Sequence, residues 1–240
     1  MINKADASRI KPSYRWFPLV TAVFVTTLII SNIIAVKIVQ LGPLSLPAAV
    51  ILFPVAYIFG DILTEVYGYA QARKVIWTGF FCNLIAVVAI WIGGRLPAAP
   101  FWTGGVYDSP QAAQQAYQAI LGFTPRLLVA SFIAYLAGEF LNSFVLAKLK
   151  VKTQGRFLWL RTISSTLVGE GVDSLIFISI AFYGIFGPAD LGKAILSQWS
   201  FKVVYEILAT PLTYLVVGWL KRAEHEDFYD RETDFNPVKF

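Results

Sequence analysis

Arg161–Gly187 reads RTISSTLVGEGVDSLIFISIAFYGIFG, and its middle, Gly169–Ser174 (GEGVDS), sets two carboxylates inside a run otherwise apolar enough to cross a membrane. A charged side chain at the centre of a transmembrane helix costs about 2.5–3.5 kcal/mol on insertion scales, so such groups face the interior of a bundle. The rest of the chain fits that setting. Of 240 residues, 57% are hydrophobic and only 15% charged, where a soluble domain carries about a quarter charged. The mean hydropathy is +0.62. The fold class is all-α, a polytopic membrane protein.

A helical span takes about twenty apolar residues, and six stretches qualify: 16–37, 46–67, 75–96, 126–147, 162–186 and 195–220. The first exceeds a signal-peptide core and lacks a small-residue cleavage site before Lys37, so it is expected to be retained. An even number of spans puts both ends on one side, and flanking cations decide which. Lys4, Arg9, Lys11 and Arg15, then Arg73 and Lys74, then Lys148, Lys150, Lys152, Arg156 and Arg161, then Lys221 and Arg222 fall on the side of the ends. Lys37, Arg95, Arg126 and Lys193 fall opposite. Both termini are therefore expected in the cytoplasm, with residues 1–15 an arm, 16–220 the transmembrane domain and 221–240 a partly ordered tail. In the long outer connection, Ser109-Pro110 supplies an N-cap and first helical residue for QAAQQAYQAILG. That short helix is either a lid or a plain connector.

One cysteine, Cys82, and one histidine, His225, leave no disulfide framework and no Cys/His metal cluster; no cofactor or metal is expected. The formal charge of +5 is distributed between apolar runs and not in a patch, which argues for a bilayer and against nucleic acid as partner.

The charged residues inside spans are Asp61, Glu65, Glu139, Glu170, Asp173, Lys202 and Glu206. At a rise of about 1.5 Å per residue, Glu139, Glu170, Asp173 and Glu206 fall near mid-depth. Asp61 lies deeper, and Glu65 lies near the cytoplasmic end, in reach of Arg73 or Lys74. Helical spacing gives three polar stripes: Ser131, Tyr135, Glu139 and Asn142/Ser143; Thr166, Glu170, Asp173/Ser174 and Phe177; Gln198, Lys202 and Glu206. A structural ion-pair network around Lys202 is one reading. Four mid-depth acids against one lysine leave carboxylates that must be protonated, hydrated or bonded to a ligand, and this favours a shared functional cavity. Asn32 lies in the outer half of the first span, and Lys37 at its mouth. Pro47, Pro54, Gly60, Gly169, Gly171 and Pro211 permit broken helices. GDILTE (Gly60–Glu65) against GEGVDS suggests an inverted repeat of spans 1–3 and 4–6, although GEFLNS (Gly138–Ser143) has the same shape on an unmatched span.

A mid-depth polar cavity is where secondary transporters bind cargo. An aspartyl protease using Asp61 and Asp173 is opposed by their different depths. A channel lacks a filter-like loop, and an ATP-driven pump in one chain lacks G-x-x-x-x-G-K-[ST].

ISNIIAVKIV (Ile30–Val39), FPVAYIFGDILTEVYGYAQARKVIW (Phe53–Trp77), GEFLNSFVLAKLK (Gly138–Lys150), RTISSTLVGEGVDSLIFISIAF (Arg161–Phe182) and DRETDFNP (Asp230–Pro237) resemble the queuosine precursor transporter family of six-span inner-membrane proteins, grouped with the vitamin uptake transporters. The resemblance implies import across the bacterial inner membrane of 7-cyano-7-deazaguanine and 7-aminomethyl-7-deazaguanine for tRNA modification. On that reading Glu170 or Glu139 accepts N1–H and the 2-amino group of the base together. Asn142 or Asn32 meets its other polar edge, and Tyr135, Phe177 or Trp199 stacks on its plane. Asp173, Glu206 and Lys202 complete the binding set, and Asp61, Glu65 and Glu206 are the candidates for proton coupling or gating. The alternative is a substrate-capture subunit for another vitamin or nucleobase, working with a partner ATPase for which the chain shows no docking motif. Energy coupling and oligomeric state are open.

Overall fold

The computed structural model describes residues 14–41, 44–122 and 125–239; Lys4, Arg9 and Lys11 of the expected arm lie outside them. Among the described residues the helices are α1 (Phe17–Ile34), α2 (Phe53–Tyr67), α3 (Tyr69–Arg95), α4 (Pro110–Leu121), α5 (Pro125–Lys152), α6 (Leu158–Phe182) and α7 (Pro188–Glu224). Of the six helices other than α4, all except α2 are long and apolar enough to cross a membrane.

The second expected span is not one helix. Strands β1 (Ile38–Leu41) and β2 (Leu44–Pro47) pair antiparallel, with Ile38 opposite Pro47 and Leu41 opposite Leu44. A 3-10 turn over Ala48–Ile51 follows, and only then α2 begins, with Pro54 in its first turn. Prolines 47 and 54 explain the shift: Pro47 disfavours helix in the residue before it, and Pro54 is tolerated only in the first turn of a helix and so fixes where α2 begins. Gly42-Pro43 between two short β-branched and leucine runs is a turn signature in the sequence. The fifteen residues of α2 reach only about 22 Å, short of a hydrocarbon core of about 30 Å. At its far end Gly68 takes φ +82° and separates α2 from α3 by a single residue. A side chain there would be strained and would also run into the Phe228 ring.

α2 is the central helix. From Ala56 to Tyr67 nearly every side chain is buried, including Asp61, Thr64 and Glu65, and it packs on α1, α3, α5 and α7. The outer helices are amphipathic in the sense a bilayer requires. On α6, Thr162, Ser165, Thr166, Gly169, Glu170 and Ser174 are buried, while Leu167, Val168 and Leu175 are exposed. On α7, Lys202, Glu206, Thr210 and Thr213 face inward, while Leu208, Leu212 and Leu215 face outward. A polar interior inside an apolar exterior is the arrangement expected of a protein dissolved in lipid.

The helices run alternately between two ends of the bundle, and the described chain starts and finishes at the same end. Glu224, at the close of α7, accepts from the backbone N–H groups of Arg15 (2.9 Å) and Trp16 (2.6 Å) ahead of α1, and from the Tyr67 hydroxyl (3.0 Å). A carboxylate beside the N-terminus of α1 also complements its dipole. The Tyr14 hydroxyl donates to Glu226 at 3.2 Å.

The expected short helix is α4, with the Ser109 hydroxyl accepting from Ala112 N–H at 3.2 Å. It docks on the far end of α3, where Gln114 donates to the Gly94 carbonyl at 2.8 Å. α6 and α7 run unbroken through Gly169, Gly171 and Pro211, and α2 through Gly60, so none of these interrupts a helix. The glycines serve contact instead. A Cβ on Gly169 would stand 2.7 Å from Asn142 Cβ and 2.8 Å from the Gly138 carbonyl, and one on Gly138 would stand 2.8 Å from Asp173 Cβ. These two glycines let α5 and α6 meet backbone to backbone.

Gly169→Ala is therefore expected to overpack that contact and cost about 1–3 kcal/mol. Gly218→Ala, inside α7 and with nothing within 4 Å of its Cβ, should not lower the thermal unfolding temperature in detergent. Equal melting of both variants and wild type would contradict the close approach.

Candidate functional site

The acids fall into two groups, one at mid-bundle and one at the end where the chain starts and finishes. At mid-bundle Lys202 of α7 reaches across to α6. Its ammonium donates to Glu170 Oε2 at 2.7 Å and also pairs with Asp173. The Tyr57 ring of α2 lies 5.5 Å from the same ammonium, a cation–π contact that sequence reasoning missed because one tyrosine in an apolar helix carries no signal of its own. Glu170 and Lys202 are almost wholly buried, Asp173 less so.

Three further acids lack a cation among the described residues. Asp61 accepts from the Asn142 side-chain amide at 2.8 Å, leaving Asp61 Oδ2 and Asn142 Oδ1 buried without a partner. Glu206 Oε1 is also buried and unpartnered. Glu139 is 7% exposed and makes no hydrogen bond or ion pair to any described residue; its Oε2 lies 3.3 Å from where a Cβ on Gly60 would stand. Unsatisfied buried polar atoms are rare in native proteins and ask for a specific reason. Five carboxylates around one ammonium, contributed by α2, α5, α6 and α7, make a site short of positive charge and of hydrogen-bond donors.

The remaining expected site residues make contacts of their own. Asn32 donates to Asn83 at 3.1 Å between α1 and α3. The Tyr135 hydroxyl donates to the Ile76 carbonyl at 3.0 Å. Trp199 donates to the Leu167 carbonyl at 3.0 Å, its indole nitrogen 3.2 Å from a Cβ position on Gly171, and so fastens α7 to α6. Phe177 packs edge-on to Phe182. Asp61 and Asp173 are engaged separately, by Asn142 and by Lys202, which is not the shared-proton geometry of a protease dyad. Among the described residues no group of three His, Cys, Asp or Glu side chains is placed to hold a metal ion. The groove between α3, α4 and the start of α5, lined by Trp91, Tyr117 and Leu121, contains none of the carboxylates.

Glu65 anchors the second group. Rather than pairing with Arg73 or Lys74, it takes Arg161 in a two-point grip (Nη2–Oε1 2.7 Å, Nε–Oε2 3.2 Å) and Lys221 at 2.7 Å, with Lys150 at 3.7 Å. Lys150 also donates to the Glu65 backbone carbonyl and to Asp227 at 2.6 Å. Arg73 instead donates to the carbonyls of Asp234 (3.0 Å) and Asn236 (2.6 Å) in the tail. Burial alone would raise Asp227, but hydrogen bonds from Lys150 and Lys221 outweigh it and hold the carboxyl below the usual aspartate range. Asp230 is raised, because burial exceeds the hydrogen bonds from Thr233 and from the Tyr69 backbone.

A polytopic helical protein with a buried, charge-deficient polar centre belongs to the class of membrane transporters, and comparison with known proteins narrows the class. Residues 47–216 match the family described as "Putative vitamin uptake transporter". A "Probable queuosine precursor transporter" of Bacillus subtilis (strain 168) is 30% identical over 186 residues, 77% of each chain. A "Queuosine precursor transporter" of Escherichia coli (strain K12) is 27% identical over 162 residues, 65% of each chain. A like-named protein of Haemophilus influenzae is 28% identical over 134 residues, 55% of this chain and 49% of its own. No solved structure matches. The chain belongs to the vitamin uptake transporter family, and it is a multi-pass membrane transporter, not an enzyme.

Lys202→Met removes the one mid-bundle cation among the described residues, and loss of one partner of a buried pair costs about 3–5 kcal/mol. The variant should melt well below wild type, and adding Glu170→Gln with Asp173→Asn should recover much of the loss. A Lys202→Met protein as stable as wild type would contradict the buried pairing.

Proposed function

We propose that this transporter imports queuosine precursors, 7-cyano-7-deazaguanine and 7-aminomethyl-7-deazaguanine, across the bacterial inner membrane. The names of its relatives in Bacillus subtilis and Escherichia coli support the cargo. Six passes are proposed, with α2, its 3-10 lead and the β1–β2 pair together making the second. The cations Arg73, Lys150, Arg161 and Lys221 lie at the end shared by both chain ends, which supports placing that end in the cytoplasm.

The observation that carries the site assignment is Glu139, a residue only 7% exposed whose carboxylate bonds no described residue and lies opposite Gly60. A deazaguanine presents N1–H and its 2-amino group as parallel donors, and a free carboxylate in a desolvated site accepts both. Glu170 is already engaged by Lys202, so Glu139 supplies the fork in this proposal. The unpartnered Asn142 Oδ1 takes a further donor of the base, and Tyr57 or Tyr135 flanks its plane. Asp173, the most accessible member of the Lys202 cluster, meets the aminomethyl cation of the second precursor. Asp61 and Glu206, with their unpartnered oxygens, carry the coupled proton. Asn32, Phe177 and Trp199 act through helix packing.

The test is uptake in bacteria unable to make queuosine precursors, supplied with nanomolar 7-cyano-7-deazaguanine and scored by queuosine in tRNA. Wild type restores the nucleoside, and Glu139→Gln, at equal membrane abundance, lowers uptake at least about tenfold, since hydrogen bonds to a charged group contribute about 1.5–3 kcal/mol each. Undiminished uptake by Glu139→Gln removes the fork. No uptake by well-expressed wild type removes the cargo and points to another base or vitamin.

A further inference from the structure

The tail beyond α7 is not a loose extension. It leaves the helix at His225, in a left-handed conformation (φ 52°), and crosses the bundle end without further helix or strand. First it meets α7, α5 and α2: Asp227 pairs with Lys221 (2.8 Å) and Lys150 (2.6 Å), and the Phe228 N–H donates to the Val66 carbonyl at 3.2 Å. It then meets α3: Asp230 accepts from Tyr69 N–H (3.1 Å), Arg73 holds two tail carbonyls, and the Trp77 indole donates to the Pro237 carbonyl at 2.8 Å. The Phe235 ring lies between Tyr69 of α3 and Phe144 of α5, with the Lys148 ammonium 4.0 Å from its centroid.

Two physical points follow. The last carbonyls of α2 are satisfied from outside the helix, Glu65 by Lys150 and Val66 by the tail, so the tail fixes the end of the helix that carries Asp61. The tail is also anchored on both sides of the interior, on α3 and on the α5 and α7 ends. Alternating access changes the spacing of helices around a central site, and a tie across them must then let go on one side. The Asp227 side is the one whose charge is open to water: its carboxylate is 44% exposed and pairs with Lys221 as well as with the buried Lys150, and accessible ion pairs are screened by salt. On the α3 side the anchors are several direct hydrogen bonds, one to the buried Asp230.

We propose that residues 225–239 form a strap that closes this end of the transporter, and that release of Asp227, Phe228 and the Phe235 ring from α5, α7 and α2, with the strap still held on α3 by Tyr69, Arg73 and Trp77, opens the path for cargo. The inference rests on the chain being a transporter, and its first readout is independent of cargo identity.

The experiment uses full-length protein in lipid nanodiscs and in cells. Hydrogen exchange across Asp61–Tyr67 is compared for wild type, for Asp227→Asn, and for Lys148→Cys/Phe235→Cys in a Cys82→Ser background joined by a reducible thiol crosslinker. Exchange is expected to rise about tenfold or more in Asp227→Asn and to fall below wild type in the crosslinked protein, because exchange reads local opening. Uptake of 7-cyano-7-deazaguanine is expected to fall at least about tenfold on crosslinking and to return on reduction. Unchanged exchange in both variants, or full uptake with the strap locked, overturns the proposal. If well-expressed wild type takes up no deazaguanine, the cargo reading fails, and the exchange measurement still decides the strap.

Discussion

A carboxylate inside a membrane protein has to be compensated, and Glu65 is compensated by Arg161, Lys221 and Lys150 at once. The consequence is architectural. The three cations come from α6, α7 and α5, so one side chain on α2 gathers the ends of three other helices around it. Breaking one partner of such a group leaves an uncompensated buried charge, which is far more damaging than never having built it. The short central helix is thereby fixed at one end, and the rest of the bundle is arranged around it.

At mid-bundle the same constraint is left unmet. Lys202 compensates Glu170 and Asp173, while Asp61, Glu139 and Glu206 have no cation among the described residues. A structural network would be expected to close on itself, as it does at Glu65. A site that ends in unpartnered oxygens is suited to a ligand that brings donors, and a deazapurine brings several. The Gly138–Gly169 contact places Asn142 and Asp173 beside that site by letting α5 and α6 approach closely.

Much of the scaffold was legible in the sequence. The long apolar runs of α1, α3, α5, α6 and α7 and the Ser109-Pro110 helix start are all present, with ends shifted by a few residues. The second stretch, 46–67, is helical as expected only from Phe53 on, because hydropathy does not distinguish a continuous helix from a strand end and 3-10 turn leading into a fifteen-residue helix; Pro47 and Pro54 marked that interruption. The acid stripes on α5, α6 and α7 were visible from spacing, and Lys202 does bind Glu170. Partners far apart in sequence were not readable. Glu65 was matched to nearby Arg73 and Lys74, whereas its cations lie 85 to 156 residues away, and the ordered tail left no periodic signal because a segment without helix or strand has none.

The central claim is that a buried carboxylate accepts the N1–H and 2-amino donors of the cargo. Competition binding to purified protein in nanodiscs tests it most directly, with labelled 7-cyano-7-deazaguanine displaced by its N1-methyl or 2-desamino analogue. The account predicts that each analogue competes at least about tenfold more weakly than the parent base, because a charged acceptor is left without its donor. Analogues that compete as well as the parent base would contradict it.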